Sequence, residues 1–140
     1  MVAASLPYAL LCTTVLMGKH IDKMDWDRER EIGTLPAILG EPRARAITQA
    51  MMALFYVVIL VLVGFRVLSW PSLLAFAALP RLRGVWRMYA HPRPPKPPRG
   101  YPIWPLWYAS GAFVHTRRAG ALLVLGLAVG AALPAALGGP

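Results

Sequence analysis

The sequence predicts an all-α fold, a polytopic membrane helix bundle with about four transmembrane helices, and three observations carry that prediction. Hydrophobic residues make up 57% of the 140 and mean hydropathy is +0.51, above the usual apolar share of a soluble domain. The apolar residues gather in long runs separated by charged or proline-rich stretches, the pattern of membrane spans and their loops. The net charge of +9 comes from Lys and Arg that flank those runs instead of lining one polar face. That arrangement marks cytoplasmic loops, and it argues against nucleic acid as a partner.

In chain order, 2–18 is a largely apolar run, interrupted by Ser5, Pro7, Thr13 and Thr14 and slightly short for a comfortable span. It has no basic leader or cleavage site, so a signal peptide is not expected. The lone cysteine, Cys12, sits inside this run and is expected to pack as a small hydrophobe. The clearest span is 46–66, closed by Arg66. Ser69-Trp70-Pro71 follows, with Pro71 suited to the first turn of the next helix. The third span, 71–89, is apolar to Leu79 and then meets Arg81, Arg83 and Arg87, which are expected to snorkel or anchor at the interface. Five prolines in His91–Gly100 exclude a helix there. Trp104, Trp107 and Tyr108 have the composition of an interfacial belt. The last span is 119–137, preceded by His115, Arg117 and Arg118, and its Gly120, Gly126 and Gly130 permit close helix contact.

Loop charges set the orientation. Residues 19–45 carry six Lys or Arg and 81–118 carry eight, against one in 66–71. The loops 19–45 and 90–118 are therefore expected to be cytoplasmic, with both termini on the far side of the cell membrane. All 140 residues belong to one membrane domain in this reading.

The chemistry gathers in the first loop. Five of the six acidic residues lie between Gly18 and Gly40, and Glu41 follows directly. If Lys19 to Arg30 is one helix, its side chains sort into two stripes at ~100° per residue. Asp22, Asp25 and Glu29 make an oxygen-rich edge of the kind that holds Mg2+ together with waters and phosphate oxygens. His20, Lys23 and Asp27 make the other stripe, suited to a phosphate group through Lys23, with Asp27 reaching it through a metal. The competing reading is a solvated helix whose charges merely pair along its face. An exposed helix has no need of the Gly33-Thr34-Leu35-Pro36 turn or the Leu39-Gly40-Glu41 close that follow.

The order Lys19-His20-x-Asp22-Lys23-x-x-x-Asp27-Arg28, then Gly33-Thr34-Leu35-Pro36-x-x-Leu39-Gly40-x-x-x-Ala44-Arg45, resembles the second aspartate-rich motif of UbiA-type intramembrane prenyltransferases. Less specifically, Trp104–Trp107 and Ala112–Gly120 resemble a subgroup of such proteins. The resemblance implies that the four spans correspond to the last four helices of that family's bundle. It implies binding of a prenyl diphosphate through Mg2+, ionisation to an allylic cation, and attack by an acceptor. Asp22, Asp25 and Asp27 would then hold metal; Lys19, His20, Lys23, Arg28 and Thr34 would contact substrate; and Asp27, Asp22 and Lys23 would serve catalysis. Lys23 stands where the motif has its first aspartate, so either Asp22 takes that role or Lys23 binds diphosphate without metal. The family's first aspartate motif has no counterpart here. The 140 residues are thus expected to be inactive alone, with the N-terminal half supplied by preceding sequence or a second chain. The alternative function is a non-enzymatic integral membrane protein or assembly subunit, its acidic loop a docking surface.

Overall fold

A computed structural model describes residues 2–136, with side chains over 3–133. It is all-helical, with no strand among the described residues. The order is α1 (Val2–Asp22), α2 (Met24–Glu29), α3 (Leu35–Leu39), α4 (Glu41–Gly64), a 3-10 helix (Trp70–Ala78), α5 (Leu79–Ala90) and α6 (Tyr108–Ala136). α1 packs on α4 and α6, and α6 packs most extensively on the 3-10 helix. Leu11, Met52, Phe55, Ile59, Ala75, Ala119 and Leu123 form the centre of one continuous core.

Two helices are long and apolar enough to cross a membrane: α4, and α6 over Tyr108–Leu133. Only 33% and 22% of their most apolar windows, respectively, are buried within the protein. Ile47, Leu54, Val57, Leu60 and Val61 stand exposed on α4, and Phe113, Val114, Val124, Leu125 and Val129 on α6. A helix serving as a soluble core would bury such residues.

Helix boundaries differ from the sequence expectation in ways that have physical causes. The helix holding the span 119–137 starts earlier, at Tyr108, because a carboxylate from α1 satisfies its first backbone N–H groups. Residue 137 lies outside the described part. α4 starts at Glu41, ahead of the apolar run at 46, since Pro42 is pre-organised for a first helical turn. The stretch 71–89 is two helices: the apolar part is 3-10 and the arginine-bearing part is α. A 3-10 helix rises ~2.0 Å per residue against ~1.5 Å for α, so the short apolar stretch reaches farther than its residue count suggests. It lies close against α6 where Gly126 faces it, since a methyl group at 126 would collide with the Pro71 carbonyl.

The single loop helix expected from Lys19 to Arg30 is interrupted at Lys23 (φ −102°, ψ 7°), which separates α1 from α2. α2 ends at Glu29, and Glu31 beyond it has a left-handed φ of 54°, with the Ile32 N–H returning to the Asp27 carbonyl at 2.9 Å. That closure turns the chain into Gly33 and Thr34. The ends of α1 and α5 and the starts of α4 and α6 all meet at this pole of the bundle.

Candidate functional site

Asp22 closes α1 and is 8% exposed. Its two carboxylate oxygens accept the N–H groups of Tyr108 (3.0 Å) and Ala109 (2.8 Å). These are donors of the first turn of α6, which no carbonyl within that helix can satisfy. Burial pushes the Asp22 carboxyl above its ordinary range, opposed by the N–H groups of Ala109, Tyr108 and Trp107 and by the Arg93 charge. Gly18 makes the approach feasible: a Cβ there would lie 2.7 Å from the Tyr89 hydroxyl and 2.8 Å from the Ala109 nitrogen.

Around this contact a polar network ties the helix ends together. The Tyr89 hydroxyl donates to the Tyr108 carbonyl at 2.8 Å. The Tyr108 hydroxyl lies 2.9 Å from both Glu41 Oε1 and the His91 carbonyl, and donates its one hydrogen between them. Arg45 sits 3.4 Å from Glu41 Oε1 and donates to the Tyr89 carbonyl at 3.2 Å. From the proline-rich connection, Arg93 donates to the Asp22 carbonyl at 3.1 Å. The connection, whose prolines exclude a helix, is thus pinned to the α1 end.

Asp27 is the second buried carboxylate, 4% exposed. Its Oδ2 accepts the Thr34 hydroxyl at 3.1 Å and faces His20 Nδ1 at 3.5 Å. Thr34 occupies the N-cap position of α3, yet its hydroxyl caps nothing there, being turned to Asp27 instead. One carboxylate therefore gathers α1, α2 and the turn into α3. Lys19, Lys23, Asp25 and Arg28, near it in sequence, are exposed. Arg28 reaches the Ala37 carbonyl at 3.4 Å, and Lys23 lies 5.3 Å from the Trp26 ring.

The structure thus brings His20, Asp27 and Thr34 into contact and leads Asp22 away to α6. Mg2+ accepts one or two carboxylates if phosphate oxygens and waters complete its shell. Asp27 fits that mode, because both of its protein contacts fall on Oδ2. Asp22 does not fit it, since both oxygens are taken by backbone N–H groups. Among the described residues no three His, Cys, Asp or Glu side chains form a group that could hold a metal ion. The expected trio Asp22, Asp25 and Asp27 is therefore not a preformed metal cage.

One polar pair escaped the sequence reading. His115, expected ahead of the last span, lies within α6 and is fully buried, its Nε2 2.9 Å from the Tyr56 hydroxyl of α4. Phe55 and Phe76 pack edge-on around the pair. The available signal was one tyrosine within the otherwise apolar Met51–Gly64 stretch, which asks for a hydrogen-bonding partner. Comparison with protein-family models, characterised proteins and solved structures finds no match to this chain.

Proposed function

We propose that this chain is an integral membrane protein that binds the diphosphate group of an isoprenoid diphosphate at the pole built by α1, α2 and α3, as the C-terminal half of a UbiA-type prenyltransferase. The observation that carries the reading is Asp27, a nearly buried carboxylate held by Thr34 and His20, with the exposed cations Lys19, Lys23 and Arg28 close to it in sequence. In this reading the loops containing 19–45 and 90–118 face the cytoplasm. α1, α4, the combined 3-10 helix and α5, and α6 are the four spans. The exposed apolar faces of α4 and α6 meet lipid, the isoprenoid chain, and the helices of the N-terminal half.

Each residue then has a physical task. Lys19, Lys23 and Arg28 supply the positive charge that a diphosphate requires. Thr34 and His20 fix the rotamer of Asp27, so that its Oδ1 faces the ligand. Asp22 positions the α1 end against α6, which supports reading Lys23, standing where the family has its first aspartate, as a direct diphosphate contact. Mg2+, bound through Asp27 and diphosphate oxygens, would neutralise charge on the departing diphosphate. Apolar helix faces keep water from the hydrocarbon and from an allylic cation.

The test is titration of the full natural gene product in its own membranes with geranylgeranyl diphosphate at fixed Mg2+. Asp27→Asn is expected to weaken binding about tenfold, the size of one lost charge-assisted contact, and to abolish prenyl transfer. Unchanged binding in both Asp27→Asn and Lys23→Gln would refute the site. The non-enzymatic alternative gains from the structural use of Asp22; it predicts no binding of prenyl diphosphate by any form of the protein.

A further inference from the structure

α6 and the 3-10 helix with α5 border a groove of about 620 Å³. Arg81 of α5 and Arg117 and Arg118 of α6 line it, over a floor that includes Ala77, Ala121 and Leu122. Arg81 and Val114 also border a second groove of about 600 Å³ that continues toward Tyr101 and Trp107. Both volumes fall in the range of small-molecule sites.

The three guanidiniums have no protein counter-charge. All six carboxylate side chains lie between Asp22 and Glu41, and the ion pairs among the described residues use none of these arginines. Each guanidinium presents five N–H donors, and the fork geometry favours phosphate oxygens. Three exposed guanidiniums that line one apolar groove without an ion pair suit an anion that also carries hydrocarbon.

Gly130 of α6 lies against Ser69 in the connection on the far side, and Arg117 stands about 20 Å before it at ~1.5 Å per residue, short of the ~30 Å hydrocarbon core. Long arginine side chains extend from such a depth toward the headgroup phosphates.

We propose that this groove is a docking site for one anionic phospholipid, its phosphate among Arg81, Arg117 and Arg118 and an acyl chain along Ala121 and Leu122. The proposal rests on the membrane reading above but not on the prenyl diphosphate site, which is at the acidic pole. A bound anionic lipid cancels the charge repulsion between α5 and α6 and holds these helices together.

The experiment is native mass spectrometry of the detergent-purified protein titrated with palmitoyl-oleoyl phosphatidylglycerol or with the zwitterionic phosphatidylcholine of the same chains. One phosphatidylglycerol is expected to bind at least about tenfold more tightly than phosphatidylcholine. The triple variant Arg81→Gln, Arg117→Gln, Arg118→Gln should erase that preference. A charge-matched control, Arg43→Gln, Lys96→Gln, Arg99→Gln, removes three exposed cations elsewhere and should retain it. Equal loss in both variants would overturn the proposal in favour of diffuse surface charge, and displacement by millimolar inorganic phosphate would overturn it in favour of a free anion. Should the triple variant fail to fold, Arg81→Gln and Arg117→Gln singly must each reduce the preference. A protein that stays in carbonate-washed membranes yet shows no lipid preference defeats the groove alone; one released by the wash defeats the membrane reading.

Discussion

Replacing Asp22 by Ala should loosen the whole polar pole, because it removes the shared acceptor for two buried N–H groups of α6. Leaving a buried donor unsatisfied costs about 1–3 kcal/mol, while loss of an N-terminal capping side chain costs about 0.5–2 kcal/mol. Two orphaned donors, discounted because the truncated carboxylate no longer has to be buried, come to about 2–3 kcal/mol. With ~4 °C per kcal/mol for a chain of this size, the thermal midpoint in detergent should fall by about 8–12 °C. Asp22→Asn keeps one acceptor and should lose about half as much. The pH dependence has a definite sign. Burial raises the Asp22 carboxyl above its ordinary 3.8 in the folded protein, so its stabilising contribution is full below that ordinary value and is lost as pH rises through the raised one. Melts of the wild type and Asp22→Asn between pH 4 and pH 7 should therefore show the wild-type advantage shrinking as pH increases. A midpoint for Asp22→Ala within about a degree of wild type would refute the capping argument, and an advantage that grows with pH would show that the N–H donors outweigh burial at this carboxylate.

Two further substitutions probe the packing. Gly126→Ala sets a methyl against the Pro71 carbonyl and should destabilise by about 1–3 kcal/mol, read as a lowered thermal midpoint, as overpacking does elsewhere. Tyr56→Phe leaves His115 Nε2 buried without its hydroxyl partner and should cost about 1–3 kcal/mol. The double variant Tyr56→Phe, His115→Phe should cost less than the sum of the singles, and a strictly additive cycle would show the contact to be idle.

Much of the fold is legible in composition. The apolar runs, their Lys and Arg flanks and the proline-rich break in His91–Gly100 lead to an all-helical chain with helices able to cross a membrane, and α4 and α6 meet that description. The cluster of carboxylates also marked the polar pole, since charge in a greasy chain gathers where water or a ligand can reach it. Less legible was which carboxylate does what. Asp22, Asp25 and Asp27 differ little as letters, and helical spacing grouped Asp22 with Asp25. The structure instead buries Asp22 under α6, leaves Asp25 in solvent and clamps Asp27 between Thr34 and His20.

Local sequence thus determined where helices form and which segments avoid water, because hydrophobic run length, proline and charge act over a few neighbouring residues. Tertiary structure alone decided that the end of α1 meets the start of α6, so that Asp22 accepts from residues far along the chain. It also decided that His115 pairs with Tyr56 and that Arg81, Arg117 and Arg118 share one groove. Such partners are chosen by how helices of given length and surface pack against one another, and a buried polar group takes whichever donor or acceptor that packing brings within reach.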